Sequence, residues 1–129
     1  MAAMTIREQF QDDVNEFIDD LTTFATGSYL NEDDKEFWDE PFDPAVLPDL
    51  KRLLEMYLDA LDLVEADPDA DKLVAVVEPF FTNLHEFNAQ HADAVLEPEE
   101  KADLQDFAFR AAAATGATED ALNSLPELD

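Results

Sequence analysis

Four carboxylates near the middle of the chain have the spacing of a calcium-binding loop. The acidic ligand positions of an EF-hand loop are occupied by Asp67, Asp69, Asp71 and Glu78. Lys72 stands where the loop needs glycine for its sharp turn, and its charge would repel the ion. Pro68 favours a helix start here, which would spread the carboxylates apart. We therefore predict no metal site and keep calcium as a weak alternative.

The two histidines, His85 and His91, do not have the spacing of a metal centre. Helical bundles that bind two metal ions carry glutamate three residues before histidine on each of two helices, and neither histidine here has that glutamate. The chain has no cysteine and no segment that resembles a nucleophile elbow or a phosphate-binding loop. Its acids are too numerous for one catalytic pair to stand out. We predict a non-enzymatic protein without a cofactor.

Net charge is the strongest compositional signal. The chain has 7 Lys and Arg against 33 Asp and Glu, a formal net charge of -26. Direct binding to nucleic acid or to an anionic membrane is therefore unfavourable. One interpretation is solubility or adaptation to salt, and the other is a negative surface for a cationic partner. The 10 phenylalanines favour the second interpretation, but composition alone leaves both open.

The first predicted helix carries a row of acids on the face opposite its apolar stripe. At four-residue steps stand Glu8, Asp12, Glu16 and Asp20. Like charges at this spacing each cost a few tenths of a kcal/mol, and no lysine relieves them. We predict that this row binds a basic protein partner, with mimicry of nucleic acid as one form of the interaction. A solvated face is the alternative.

The segment between the first two long helices is aromatic and unusually long. It carries Tyr29, Phe37, Trp38 and Phe42, and a short helical insert is predicted within it. Connections of this length in small domains are typical of lids, binding loops and crossovers. The rings either cap one end of the core or line an apolar pocket. The rival functional hypothesis is therefore a module that binds a small molecule or peptide beneath residues 29–42, with the surface charge serving only solubility.

Apolar periodicity and helix-capping residues predict the fold. Long helices are expected at residues 5–26, 44–66, 68–92 and 98–115, and a short one at 118–125 precedes a mobile tail. Thr5 and Glu8 fit a capping box, and Gly27 ends the first helix. We predict an all-α antiparallel up-and-down bundle of four long helices, with the short helical insert and the short C-terminal helix.

The most apolar predicted helix, at 68–92, is expected to be the one against which the others pack. Its apolar residues cover an arc of roughly 160°, so it needs neighbours on more than one side. Asp67 is the expected cap and Pro68 the first helical residue. Pro79 lies inside the pattern and predicts a kink.

Two apolar residues, Met56 and Leu63, fall outside the core stripe of the 44–66 helix and lie nearly in line. Lys51 and Arg52 on the same helix make its surface the least negative. We predict that Met56 and Leu63 form the interface if the protein is a homodimer, because elsewhere self-association brings negative fields together. A monomer is the alternative.

Length and hydropathy set the remaining expectations. A chain of 129 residues is predicted to form one domain, spanning residues 1–129. No apolar run reaches the length of a membrane span, and the N-terminal residues lack the basic and apolar regions of a signal peptide. We therefore expect a cytoplasmic protein.

Overall fold

Four long α-helices make up most of the structure. The computed structural model describes residues 5–27, 30, 33 and 42–128. The helices are Ile6–Thr26 (α1), Leu47–Asp62 (α2), Ala70–Gln90 (α3), Pro98–Ala113 (α4) and the short Glu119–Asn123 (α5), and a 3-10 turn at Pro44–Val46 leads into α2. No strand occurs within these ranges, and the predicted all-α bundle of four long helices is confirmed.

Local capping chemistry fixes two of the helix starts as the sequence predicts. The Thr5 hydroxyl accepts from the backbone N–H of Glu8 at 3.0 Å, while the Glu8 carboxylate accepts from Thr5. Gly27 then ends α1 with a φ of 67°, a conformation that glycine adopts at little cost. Thr118 caps α5 in the same way, by accepting from the N–H of Ala121.

The connection between α2 and α3 differs from the prediction. Asp67 has a φ of 55°, and its backbone N–H donates to the carbonyl of Thr115 at the end of α4. It therefore cannot cap a helix that begins at Pro68. The cap is Asp69, whose carboxylate accepts from the N–H of Lys72 at 3.0 Å. This contact with α4 lies far away in the sequence, so helix-capping rules alone could not reveal it.

The end of the chain also departs from the prediction of a mobile tail. Leu128 is buried, and its backbone N–H donates to the side-chain oxygen of Gln105 on α4. Leu125 is buried in the same core cluster. The apolar side chains of Leu125 and Leu128 thus hold the residues after α5 against the bundle.

Specific contacts join the long helices of the bundle. The start of α1 meets the end of α2, where Ile6 contacts Asp62. In the middle of α2, the ring of Tyr57 stacks on Phe80 of α3 at 4.3 Å between centroids. On α4, the ring of Phe107 meets Phe10 of α1 edge-on at 6.0 Å. Such aromatic pairs contribute about 1 kcal/mol each beyond their burial.

The helix that contacts most of the others is α2, and the prediction that the 68–92 helix has this position is wrong. Along its length α2 packs against α1 on one side and α3 on the other. Tyr57 also reaches α4, where its buried hydroxyl donates to the carbonyl of Ala108 at 2.7 Å. In its apolar content α3 does match the prediction, since its stripe from Leu73 to Phe87 is buried.

The two flanks of α4 are filled differently. On the flank toward α3, the short helix α5 contacts both α3 and α4 and fills the space between them. The link before α4 is held by Asn88, whose buried amide both accepts from and donates to Leu96. On the flank toward α1, the helix axes approach each other closely at few points, and α2 is the described long helix that contacts both α1 and α4. A groove remains there.

Candidate functional site

The groove between α1 and α4 consists of two clefts that share lining residues. The first cleft has a volume of about 180 Å³ and the second about 260 Å³. Both are lined by Phe17 and Asp20 of α1 and by Asp103 of α4. Because they share these side chains, the clefts form one continuous depression, called the α1–α4 groove below.

Aromatic and aliphatic side chains form the floor of the α1–α4 groove. Phe10, Phe17 and Phe24 follow one another at seven-residue steps on α1, so they lie along the same face of the helix. Phe17 and Phe24 line the clefts, whereas Phe10, whose ring meets Phe107 edge-on, is not part of their lining. Phe17 is half-buried, and Phe24 is 37% exposed and tilts against the ring of Phe42.

Acidic side chains from both helices form the rims. From α1 come Asp13, Glu16 and Asp20, and from α4 and the residue before it come Glu97, Glu99, Glu100, Asp103 and Asp106. Among the described residues, Glu16, Asp20 and Asp103 have no hydrogen-bond or salt-bridge partner. Carboxylates from two separate helices therefore face a shared apolar floor, where Arg110 pairs only with Asp13 and Asp106 among the described residues.

Arg110 closes the narrow end of the α1–α4 groove. Its guanidinium donates to Asp13 at 3.0 Å and to Asp106 at 2.8 Å, which ties α1 to α4. It also lies over the ring of Phe10, 5.8 Å from the centroid, in cation–π contact. The charge of Arg110 is thus already paired, and the acids farther along the groove receive little from it.

The surroundings of Glu100 in the α1–α4 groove raise the pKa of its carboxyl group. Partial burial raises the pKa of the Glu100 carboxyl, and the charges of Glu97, Glu99 and Asp103 raise it further, while a backbone hydrogen bond opposes them. A cation in the α1–α4 groove would offset the repulsion among these carboxylates.

The predicted acid row on α1 divides into residues with different surroundings. Glu16 and Asp20 line the α1–α4 groove. Glu8 is engaged in the capping box with Thr5, and Asp12 is exposed outside the groove lining. The structure thus brings together half of the row, and it adds acids of α4 that the sequence analysis did not select. The three- and four-residue spacing of Glu99, Asp103 and Asp106 was the available signal, since it places them on one helical face.

The aromatic segment proposed as a pocket lies almost wholly outside the described residues. Tyr29, Phe37 and Trp38 belong to that part of the chain. Phe42 is described, and it is buried in the core cluster with its ring 6.4 Å from that of Phe24.

The residues predicted for a dimer interface are exposed. Met56 is 54% exposed and Leu63, at the end of α2, is 87% exposed. Met56 lines a shallow depression of about 140 Å³ between α2 and α3, together with Val76 and Pro79. These observations fit an apolar surface patch, and the dimer stays a prediction.

The candidate calcium ligands are not brought together. Asp69 is used as the cap of α3, and Asp67 is turned toward the end of α4. In the ranges that the structure describes, no group of three or more acidic or histidine side chains is placed to hold a metal ion. His85 is exposed, and the ring of His91 lies edge-on to Phe87 at 4.8 Å.

Comparisons with known proteins add no assignment. None of the described helices combines the length and apolarity needed to cross a membrane. No family model, curated protein or solved structure matches this chain.

Proposed function

We propose that this chain is a non-enzymatic interaction protein that binds a basic protein partner in the α1–α4 groove. The observation that carries the proposal is the convergence of unpaired carboxylates from two helices on one apolar floor. Folding gains nothing from placing like charges together, and a solvated face would not require acids from separate helices to meet. A cationic partner would turn this repulsion into attraction.

Some other acids of the chain form salt bridges that hold the fold together. This favours the α1–α4 groove over the rest of the acidic surface as the binding site. Arg7 pairs with Glu55 at 2.9 Å and with Asp59 at 2.8 Å, linking α1 to α2. Glu55 and Asp59 therefore have a structural explanation, whereas Glu16, Asp20 and Asp103 have none within the described residues. Mimicry of nucleic acid is one form of the proposed function, and a cytoplasmic location is part of the proposal.

A charge-matched pair of variants tests the proposal. The groove variant carries Glu16→Gln, Asp20→Asn, Glu100→Gln and Asp103→Asn. The control variant removes the same charge from exposed acids outside the groove lining, with Glu78→Gln, Glu86→Gln, Asp93→Asn and Glu127→Gln. Both leave Arg7, Arg110 and their acidic partners intact. Acids of α2 are unsuitable as controls because they hold Arg7.

Binding of a lysine-rich peptide, measured by calorimetry over a range of salt concentrations, separates the two interpretations of the charge. The groove variant should lose most of the affinity and show a weaker salt dependence, because fewer charges are desolvated and paired on binding. The control variant should bind almost as the unmodified protein does. Equal loss in both variants, or no binding at low salt, would support the solubility interpretation instead.

A further inference from the structure

We infer that the segment of the partner that the α1–α4 groove accepts is a basic amphipathic helix. Its apolar side chains would lie on Phe17 and Phe24, and its lysines and arginines would meet the acidic rims. This inference rests on the proposed function, since it names the class of partner for the same site.

The shape of the groove fits a helix of a few turns. The open part of the groove follows α1 from Asp13 to Phe24, which corresponds to about 16 Å at the rise of an α-helix, or about three turns. Arg110 and the edge-on pair of Phe10 and Phe107 close one end. A guest helix would therefore lie along residues 13–24 of α1 and end at Arg110.

The packing around α4 provides a precedent within the same fold. On the flank toward α3, the gap is filled by α5, a short helix that buries Ala121 and contacts both neighbours. The flank toward α1 has no such helix among the described residues. A helix supplied by a partner would occupy the equivalent position on the second flank.

Charge complementarity selects a basic occupant. The rims carry Asp20 and Glu16 on one side and Asp103, Glu99 and Glu100 on the other, so positive side chains on both flanks of a guest helix would find carboxylates. A second copy of this chain would bring its own acids into the groove and be repelled. A wholly basic, disordered segment would contact the acidic rims but leave the apolar floor exposed to solvent.

The apolar floor is what distinguishes an amphipathic helix from a merely basic segment. Phe17 is half-buried and Phe24 is partly exposed, so each still presents ring surface that a partner can cover. Covering the ring surface that is still exposed should raise the affinity several-fold. Helix-in-groove recognition uses apolar residues at three- and four-residue spacing in this way.

Two lysine–leucine peptides of identical composition provide the test. In one peptide the leucines recur at helical spacing, and in the other they are scrambled, so that only the first can present an apolar face. Affinities are measured by fluorescence anisotropy for the unmodified protein, the groove variant, Phe24→Ala and Phe17→Ala. Met56→Ala is the matched control, because Met56 is an exposed apolar residue on α2, away from the groove.

The amphipathic peptide should bind about tenfold more tightly than the scrambled one and gain helical circular dichroism on binding. Phe24→Ala should weaken the amphipathic peptide several-fold and leave the scrambled peptide unchanged, whereas Met56→Ala should affect neither. Phe24 is partly exposed, so this variant keeps the test valid if Phe17→Ala unfolds.

The alternative outcomes are distinguishable. If both peptides bind equally and the groove variant loses both, the amphipathic-helix inference is wrong and the proposed function stands. If neither peptide binds the unmodified protein at low salt, the proposed function is wrong as well. Equal weakening by Phe24→Ala and Met56→Ala would also overturn the inference, because the floor would then have no specific contribution.

Discussion

Asp62 shows that a single carboxylate in this acidic chain can serve the fold. Its two side-chain oxygens accept from the backbone N–H groups of Ile6 and Arg7, at 2.7 and 3.1 Å. The first N–H groups of a helix have no partner within the helix and carry the positive end of its dipole. The last residue of α2 thus caps α1 from a distance, alongside the local cap Thr5.

Asp62→Ala should lower the free energy of unfolding by about 1–2 kcal/mol, because it leaves two N–H groups at a helix end without their acceptor. Urea unfolding followed by circular dichroism measures the change. Glu65→Ala is the control. The Glu65 side chain is 87% exposed, and its one salt bridge among the described residues, to Lys72, is long at 3.9 Å. Equal stability of the two variants would show that Asp62 does not support α1.

Glu100→Gln should stabilise the protein at neutral pH. The pKa of Glu100 is raised by partial burial and by its acidic neighbours, so the folded state binds its proton more tightly than the unfolded chain does. The ionised carboxylate therefore destabilises the fold above the raised pKa, and this penalty disappears as the pH falls through the ordinary glutamate range. The gain in unfolding free energy from glutamine should thus be greatest at about pH 7 and vanish at about pH 4.

Urea unfolding at several pH values measures this dependence, with Glu78→Gln on the exposed face of α3 as the control. A Glu100→Gln protein that is less stable at neutral pH would contradict the argument. It would mean that the favourable interaction of the charge with the start of α4 exceeds the repulsion from its neighbours.

Residue-level features differ in how far the sequence could predict them. The capping box of Thr5 and Glu8 is local, so spacing alone revealed it. The contact of Asp62 with α1 and that of Asp67 with Thr115 join residues far apart in the chain. Such contacts depend on how helices pack, which the periodicity of one helix does not specify.

At the scale of elements, the acid row of α1 has more than one explanation. Glu8 completes the cap, while Glu16 and Asp20 line the groove. Asp13, outside the row, is paired with Arg110. Position on a helical wheel predicted which side chains face solvent. It did not predict which of them face another acidic helix, because that depends on the approach of α4.

The apolar patch on α2 gives a prediction at the same scale. If the protein dimerises through Met56 and Leu63, the double variant Met56→Glu and Leu63→Glu should be a folded monomer by light scattering. Both side chains are more than half exposed, so the changes should leave the fold intact. A dimer that persists in the double variant would exclude this patch, and a monomeric unmodified protein would leave the patch without a partner.

Helix existence was predictable and helix position was not. The apolar stripe of α3 and the small residues of α4 identified both as buried helices before their neighbours were known. The central position of α2 follows from Tyr57, which contacts both Phe80 and Ala108. Sequence composition favoured α3 because it is the most apolar, but apolar content does not determine which helix lies between the others.

At the scale of the whole molecule, two arginines hold α1 in place. Arg7 fastens α1 to α2, and Arg110 fastens α1 to α4. From Arg110 the α1–α4 groove continues toward the end of α1, and Glu16, Asp20 and Asp103 stand there without such partners among the described residues. The net charge of -26 is therefore unevenly compensated, and we propose the groove as the functional site.

Amide chemical-shift mapping with isotope-labelled protein and a lysine-rich peptide tests this placement most directly. The perturbed amides should cluster along the α1–α4 groove, at residues 13–24 and 97–106, and the perturbations should fade as salt is raised. The exposed acids of α3 should respond little. Perturbations spread evenly over the acidic surface, or centred away from the groove, would show that the groove is not the binding site.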